Sequence, residues 1–371
     1  MAFATSFAIG CLERIRVVVR MAAVRLRRLA AGFAATAAVA VALLASAACA
    51  PPPACAADEP QPAADAAATV RVATLKFGTV EWEIDVMRRH GLGRAHGVRV
   101  EAVDFAGAPA AQVALQGGRV DTAVLDWLWV SRQRAAGADW TFAPFSSAVG
   151  SVIVPAGSPI RSVADLKGKR LGVAGSPLDK GWLILRLLTI RNDGFDLDGA
   201  AAEKSFGAPP LLSEQLAGGR LDAVLTYWPY AARLEAQGMR SLVSIGDALR
   251  ELGVPDDLPM IGYVFSEQWA AANRAVVDGF LKASGDAKRI LADSDEEWRT
   301  IMPLTGAKDE AELARLRDAF RAGIPKEQAS AAAEQEAAGK LYALLASLGG
   351  EALVGPSPTL RPGTFYPMPA D

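Results

Sequence analysis

The sequence predicts an α/β protein built as two similar lobes. Three observations predict it: an internal repeat, two strand–loop–helix openings that each carry a tryptophan at the same point, and a change after Ser266 to long amphipathic helices with no strands between them. The repeat pairs "LQGGRVDTAVLDWLWVSRQRAAG", Leu115 to Gly137, with "LAGGRLDAVLTYWPYAARLEAQG", Leu216 to Gly238. At a constant offset of 101 residues, 9 of the 23 positions are identical, among them Gly117/Gly218, Gly118/Gly219, Asp121/Asp222 and Trp127/Trp228. Duplication of one supersecondary unit fixes an architecture before any single residue is interpreted.

The elements follow in order. Arg14, Arg16, Arg20, Arg25, Arg27 and Arg28 precede a charge-free Ala/Val/Leu stretch from Leu29 to Ala57, the order of an export signal over residues 1–57, with Met21 as an alternative start. The stretch is rich in Ala rather than Leu and ends in small residues, which favours cleavage over a permanent anchor; tethering by a lipid on Cys49 is the alternative. Cys11, Cys49 and Cys55 all precede Asp58, so cleavage there leaves neither a disulfide framework nor a cysteine metal site. A low-complexity linker, 58–68, leads to "TVRVATL" from Thr69, which alternates as a strand does. "KFGTVEW" breaks that pattern and "EIDVMRRHGL" resumes it with helical spacing. "KRLGVAG", "SPLDKGW" and "LILRLLTIRNDG" repeat the scheme from Lys169, placing Trp182 100 residues after Trp82.

In each repeat paired glycines stop a helix, and a turn through Asp121 or Asp222 enters a buried strand, "TAVL" or "AVLT". The strand delivers Asp126-Trp127 or Tyr227-Trp228 to the start of another helix, where Pro229 needs no amide donor. Ligands of open parallel α/β sheets bind at that carboxyl edge. The expected lobes are 69–150 plus 259–371, and 151–258, with a return crossing near "LPMIGYVF" and a C-terminal helical extension packed on the first lobe.

With the repeat, "SPIRSVADLKGKRLGV" from Ser158 and the two Gly-Gly-Arg-x-Asp turns in hand, the chain resembles the periplasmic substrate-binding proteins of ABC importers. Within these it is similar to the nitrate, sulfonate, taurine and thiamine-precursor branch. The resemblance covers roughly Val70 to Leu291 and is weak after Trp298. It implies the two-lobed periplasmic binding protein (type II) fold, in which two crossing strands join the lobes and one small molecule is held in the interlobe ligand cleft. It also implies a monomer that works with an ABC membrane permease and needs no cofactor.

Five loops fall at the expected cleft: Leu75–Trp82, Phe105–Pro109, Leu125–Trp129, Ala174–Trp182 and Thr226–Tyr230. From them Lys76, Phe77, Gly78, Thr79, Trp82, Asp126, Trp127, Ser176, Pro177, Lys180, Trp182, Tyr227 and Trp228 are the candidate ligand-binding residues. Helix N-termini at these loops offer free amides and a positive dipole end, suited to a sulfonate, carboxylate or similar anion. The aromatic rings suit a flat or alkyl body. Each has a plainer reading: an aromatic at a strand end also packs a core, Lys76 and Lys180 also fit a solvated rim, and Asp126 also caps the helix that starts at Trp127.

Other function classes fit less well. A net charge of −2 without basic runs in the body of the chain gives no field for nucleic acid. His90 and His96 fall away from the cleft loops, and no Ser/His/Asp, Cys/His or metal-ligand spacing occurs, so no catalytic residue and no metal ligand is assigned. "GVAGSP" lacks the Gly-Lys-Ser/Thr ending of a phosphate loop. The alternatives are an enzyme on the same bilobed fold, of the chorismate dehydratase or pyrimidine-synthase kind, and a ligand sensor serving a separate receptor. The export signal and the absence of a pyrimidine synthase's His/Cys cluster weigh against the first.

Overall fold

A computed structural model describes residues 67–76, 78–325 and 331–368. The export signal, Cys49, all but the last two residues of the linker, and Phe77 lie outside the described residues.

Ten strands form two five-stranded sheets. The first holds β1 (Ala68–Leu75), β2 (Val98–Phe105), β3 (Thr122–Asp126), β4 (Trp140–Ser146) and β10 (Ile261–Ser266), in the order β2-β1-β3-β10-β4. The second holds β5 (Gly150–Val154), β6 (Arg170–Ala174), β7 (Glu203–Gly207), β8 (Ala223–Tyr227) and β9 (Arg240–Ser244), in the order β7-β6-β8-β5-β9. The two orders are the same pattern, with β3 and β8 central in each, as the repeat requires. One strand in each sheet runs antiparallel to both neighbours: β10 in the first and β5 in the second. The chain therefore crosses between sheets twice, from β4 to β5 and from β9 to β10.

The Gly-Gly-Arg-x-Asp turns explain themselves. Gly118 and Gly219 take left-handed backbone (φ 69° and 70°), which a side chain would resist. Asp121 then accepts hydrogen bonds from the backbone N of Arg71 at 2.8 Å and from its Nη2 at 2.7 Å; Asp222 accepts the same pair from Arg170 at 2.8 and 2.7 Å. Each aspartate thus ties the turn to the start of the neighbouring strand, β1 or β6. The crossing strands need glycine for a different reason. A Cβ on Gly150 would lie 1.9 Å from the carbonyl oxygen of Thr226, and one on Gly262 would lie 2.3 Å from that of Ala143. Gly150→Ala should force β5 off β8 and destabilise the protein by about 1 to 3 kcal/mol, as overpacking does. A urea midpoint equal to the parent's would refute the close approach.

The helical extension reaches further than the sequence suggests. Helix Arg274–Asp293 packs on helix Val80–Arg89 through a buried polar network: Glu83 accepts from Lys288 Nζ (2.5 Å), Tyr263 OH (2.6 Å) and Ser284 Oγ (2.5 Å). Helix Glu310–Ala322, however, lies along helix Trp228–Ala236, where Arg233 donates to Glu312 and, at 2.8 Å, to the carbonyl of Thr305. Ala338, Leu341, Tyr342 and Leu345 of helix Ala331–Val354 join one core cluster with Trp182 and Leu183. The extension therefore bridges both sheets instead of covering the first alone, because its apolar stripe meets helix Lys180–Asp193 as well as helix Trp127–Ala135.

Glu334, near the start of that last helix, is raised to about 7 by burial and then by the nearby Asp257 carboxylate. A carboxyl raised in the folded state loses stability as pH climbs from its unfolded value through 7. Glu334→Gln should therefore stabilise the protein at pH 8 by about 1 to 2 kcal/mol, after allowance for solvent screening, and leave it nearly unchanged at pH 5. Melting curves at the two pH values test this, and equal shifts at both would refute it.

Candidate ligand-binding cleft

The carboxyl ends of β1, β3, β6 and β8 converge on a cleft of about 570 Å³, within the usual range for a small-molecule site. Both sheets line it: Leu75, Gly78, Thr79 and Val124 from the first, Thr226 and Tyr227 from the second. The two crossings contribute Val149-Gly150 and Met260-Ile261 to its lining. Four helices begin there with no side-chain cap, their N-cap residues being Thr79, Gly107, Ala208 and Tyr227. Their first-turn amides lack a side-chain acceptor, although the amides of Trp82 and Ala110 bond back to the carbonyls of Thr79 and Gly107 and Pro109, Pro209, Pro210 and Pro229 each remove one donor.

Two further helices at the cleft are capped, and their caps carry its charge. Asp179 accepts from the amides of Gly181 (2.9 Å) and Trp182 (3.3 Å), and Asp126 from that of Trp129 (2.8 Å). Lys180 Nζ then reaches from the second sheet's side to Asp126 Oδ2 at 3.2 Å on the first. Burial pushes the ammonium down, but Asp126 and Asp179 outweigh it and the net shift is upward, so Lys180 stays charged. Asp179 moves up, because burial exceeds the pull of Lys180 and the backbone donors. The Tyr227 hydroxyl faces Asp179 Oδ2 at 3.4 Å and is raised by burial first and that carboxylate second. Among the described residues Asp179 and Lys180 are the charged groups lining the cleft.

The aromatic wall spans both halves. Half-buried Trp228, on the second sheet's side, meets Trp82, on the first, edge to face with centroids 6.0 Å apart and planes at 89°. Trp298 and Phe320 of the helical extension complete the cluster. Behind it a second chamber of about 520 Å³ shares Leu75, Gly78, Thr79, Pro229 and Tyr230 with the cleft and adds Lys76, Glu81, Trp82, Asp104 and Arg233. Burial, then Asp104, raises the Glu81 carboxyl.

The structure brings Gly78, Thr79, Lys180, Tyr227 and Trp228 to the cleft and Lys76 and Trp82 to the adjoining chamber, with Asp126 joined to the site through Lys180. Phe77 is outside the described residues. Four expectations need correction. Trp127 is fully buried, its indole N–H donating to the carbonyl of Pro259 at 3.0 Å and its ring beside Phe365, so it belongs to the core. Trp182 is likewise fully buried, edge-on to Phe206. Ser176 and Pro177 stand in an exposed turn outside the lining, where the Ser176 hydroxyl accepts from Leu178 N. Asp179, Thr226, Ile184 and Met260 line the cleft without having been singled out.

The match of residues 86–297 to the model of the NMT1/THI5-like family spans more than half of the chain. The chain belongs to that family. Comparison with curated proteins finds no match. Among solved structures, this NMT1/THI5-like protein is similar to the alkanesulfonate-binding protein SsuA from Xanthomonas axonopodis pv. citri bound to MOPS. That match has 20% identity, covers 81% of this chain and 98% of that one, and gives a TM-score of 0.61. The periplasmic aliphatic sulphonate binding protein SsuA from Escherichia coli aligns at 20% identity over 81% and 92% of the two chains, TM-score 0.64. A mutant of DszB in complex with biphenyl-2-sulfinic acid aligns at 15% identity over 81% and 97%, TM-score 0.54. These likenesses establish the periplasmic binding protein fold.

Proposed function

We propose that this chain is the extracytoplasmic substrate-binding component of an ABC importer, which captures one small organic molecule and delivers it to a membrane permease. Its lobes are residues 69–150 with 259–371, and 151–258, with the helical extension bridging them. The observation that carries the reading is the cleft itself, whose wall draws on the strand ends of both sheets and which four uncapped helices enter from both sides. Free amides and converging dipoles favour a sulfonate or carboxylate head, and Trp228 with Tyr230 offers a surface for a flat or alkyl body. The names of the two SsuA relatives, which bind sulfonates, support the same ligand class.

The protein acts after export, with residues 1–57 removed or a lipid tether at Cys49, and works as a monomer so that both lobes meet the permease. Among the described residues no helix is long and apolar enough to cross a membrane. It binds its ligand without transforming it, in contrast to an enzyme on this fold. A thermal-shift screen of sulfonates, carboxylates and pyrimidine heterocycles on the exported protein tests the reading, since a ligand of the folded state raises the melting temperature by mass action. Recovery of a bound compound chemically altered would replace transport with catalysis, and an intact N-terminus at Met1 or Met21 in envelope preparations would sink export.

A further inference from the structure

We propose that the Thr226 hydroxyl is a ligand-contacting, specificity-determining group, which donates its hydrogen to an oxygen of the ligand's head. The inference rests on the binding-protein reading above. Thr226 is 1% exposed, lines the cleft, and its Oγ1 has no hydrogen-bond partner among the described residues. A buried, unpaired hydroxyl is costly, and an oxygen of a ligand held in the cleft would relieve that cost at Thr226.

The repeat offers a comparison. At the offset of 101 residues the counterpart of Thr226 is Leu125, which sits in the equivalent central strand β3 and is buried in the core. The strand position therefore accepts an apolar side chain in one half and carries a hydroxyl in the half whose residue belongs to the cleft lining. Thr122 and Thr141 also have buried, unpartnered hydroxyls and neither lines the cleft, so the assignment rests on the place of Thr226 in the cleft lining together with its unpaired state, and the other two serve as controls. The surroundings of Thr226 fit a head group. It is followed by Tyr227 and by the uncapped start of helix Trp228–Ala236, and crossing strand β5 presses on its backbone at Gly150. A head oxygen placed there would accept from the Thr226 hydroxyl and from first-turn amides together, while Lys180 remains paired with Asp126.

The test uses the full exported protein with MOPS, hexanesulfonate and benzoate as probes, and the variants Thr226→Val, Thr226→Ser and, as controls, Thr122→Val and Thr141→Val. Thr226→Val removes the hydroxyl at nearly constant shape. It should raise the melting temperature of the unliganded protein and at the same time weaken the best-bound probe about tenfold, the loss of one charge-assisted hydrogen bond. Thr226→Ser should keep affinity within about twofold, and the two controls should leave it unchanged. A lower unliganded melting temperature in Thr226→Val would show the hydroxyl to be structural and overturn the inference. So would an unchanged dissociation constant, which leaves the binding-protein reading standing. Failure of the parent protein to bind any of the three probes would overturn the inference together with the sulfonate and carboxylate preference of that reading.

Discussion

Lys288→Met should destabilise the protein by about 3 to 5 kcal/mol, because it leaves the Glu83 carboxylate buried and uncompensated. Glu83 is wholly inaccessible, and Lys288 is nearly so. Their pair at 2.5 Å joins helix Val80–Arg89 to helix Arg274–Asp293, and Tyr263 and Ser284 donate to the same carboxylate. The ammonium also lies 4.4 Å above the Phe145 ring. Burial still pushes the Lys288 pKa down more than Glu83 pulls it up, so the pair is held against its desolvation cost. The double variant Glu83→Leu/Lys288→Met should recover a large part of the loss, since no charge is left without a partner. Recovery will be incomplete, because the Tyr263 and Ser284 hydroxyls lose their acceptor and stand 3.5 Å apart. Urea unfolding of the single and double variants measures both effects. A single variant within 1 kcal/mol of the parent, roughly the worth of an exposed pair, would show that water reaches this site.

The fold was legible in the repeat because duplication copies backbone geometry, and both sheets adopt the same strand order around β3 and β8. The turn aspartates were equally legible, since a Gly-Gly-Arg-x-Asp turn has the same task in each half. Side-chain exposure at the duplicated tryptophans was not. Trp127 and Trp228 hold the same register, yet the segment before β10 and the C-terminal Phe365 cover Trp127, while Trp228 opens on the cleft. Nothing in 23 aligned residues reports what distant chain passes over them. The same limit hid Trp182, covered by Phe206 and the helix Ala331–Val354 cluster, and left Ser176 and Pro177 outside the cleft lining while Asp179, beside the expected Lys180, enters it. The orphan state of Thr226 is a property of packing and has no sequence signature.

The asymmetry of those tryptophans makes the second large effect specific to one of them. Trp228→Ala should weaken ligand affinity by about 1 to 3 kcal/mol, the range for losing a buried aromatic contact, and lower stability only moderately, because the ring is half-buried and packs edge-on against Trp82 and Phe320. It should also loosen the unliganded protein, because the Trp82–Trp228 contact reaches across from one sheet's side to the other beside the Asp126–Lys180 pair and the helical extension, and removing one of these ties eases opening about the crossings. Trp182→Ala supplies the contrast. That ring is fully buried, so its loss should cost about 3 to 5 kcal/mol of stability and reach affinity only through the damaged fold. Calorimetric titration with the best ligand of the screen, melting curves and small-angle scattering on both variants separate the cases. The cleft assignment requires Trp228→Ala to lose affinity and gain radius of gyration without ligand while remaining folded, and an unchanged dissociation constant in that variant would remove Trp228 from the site.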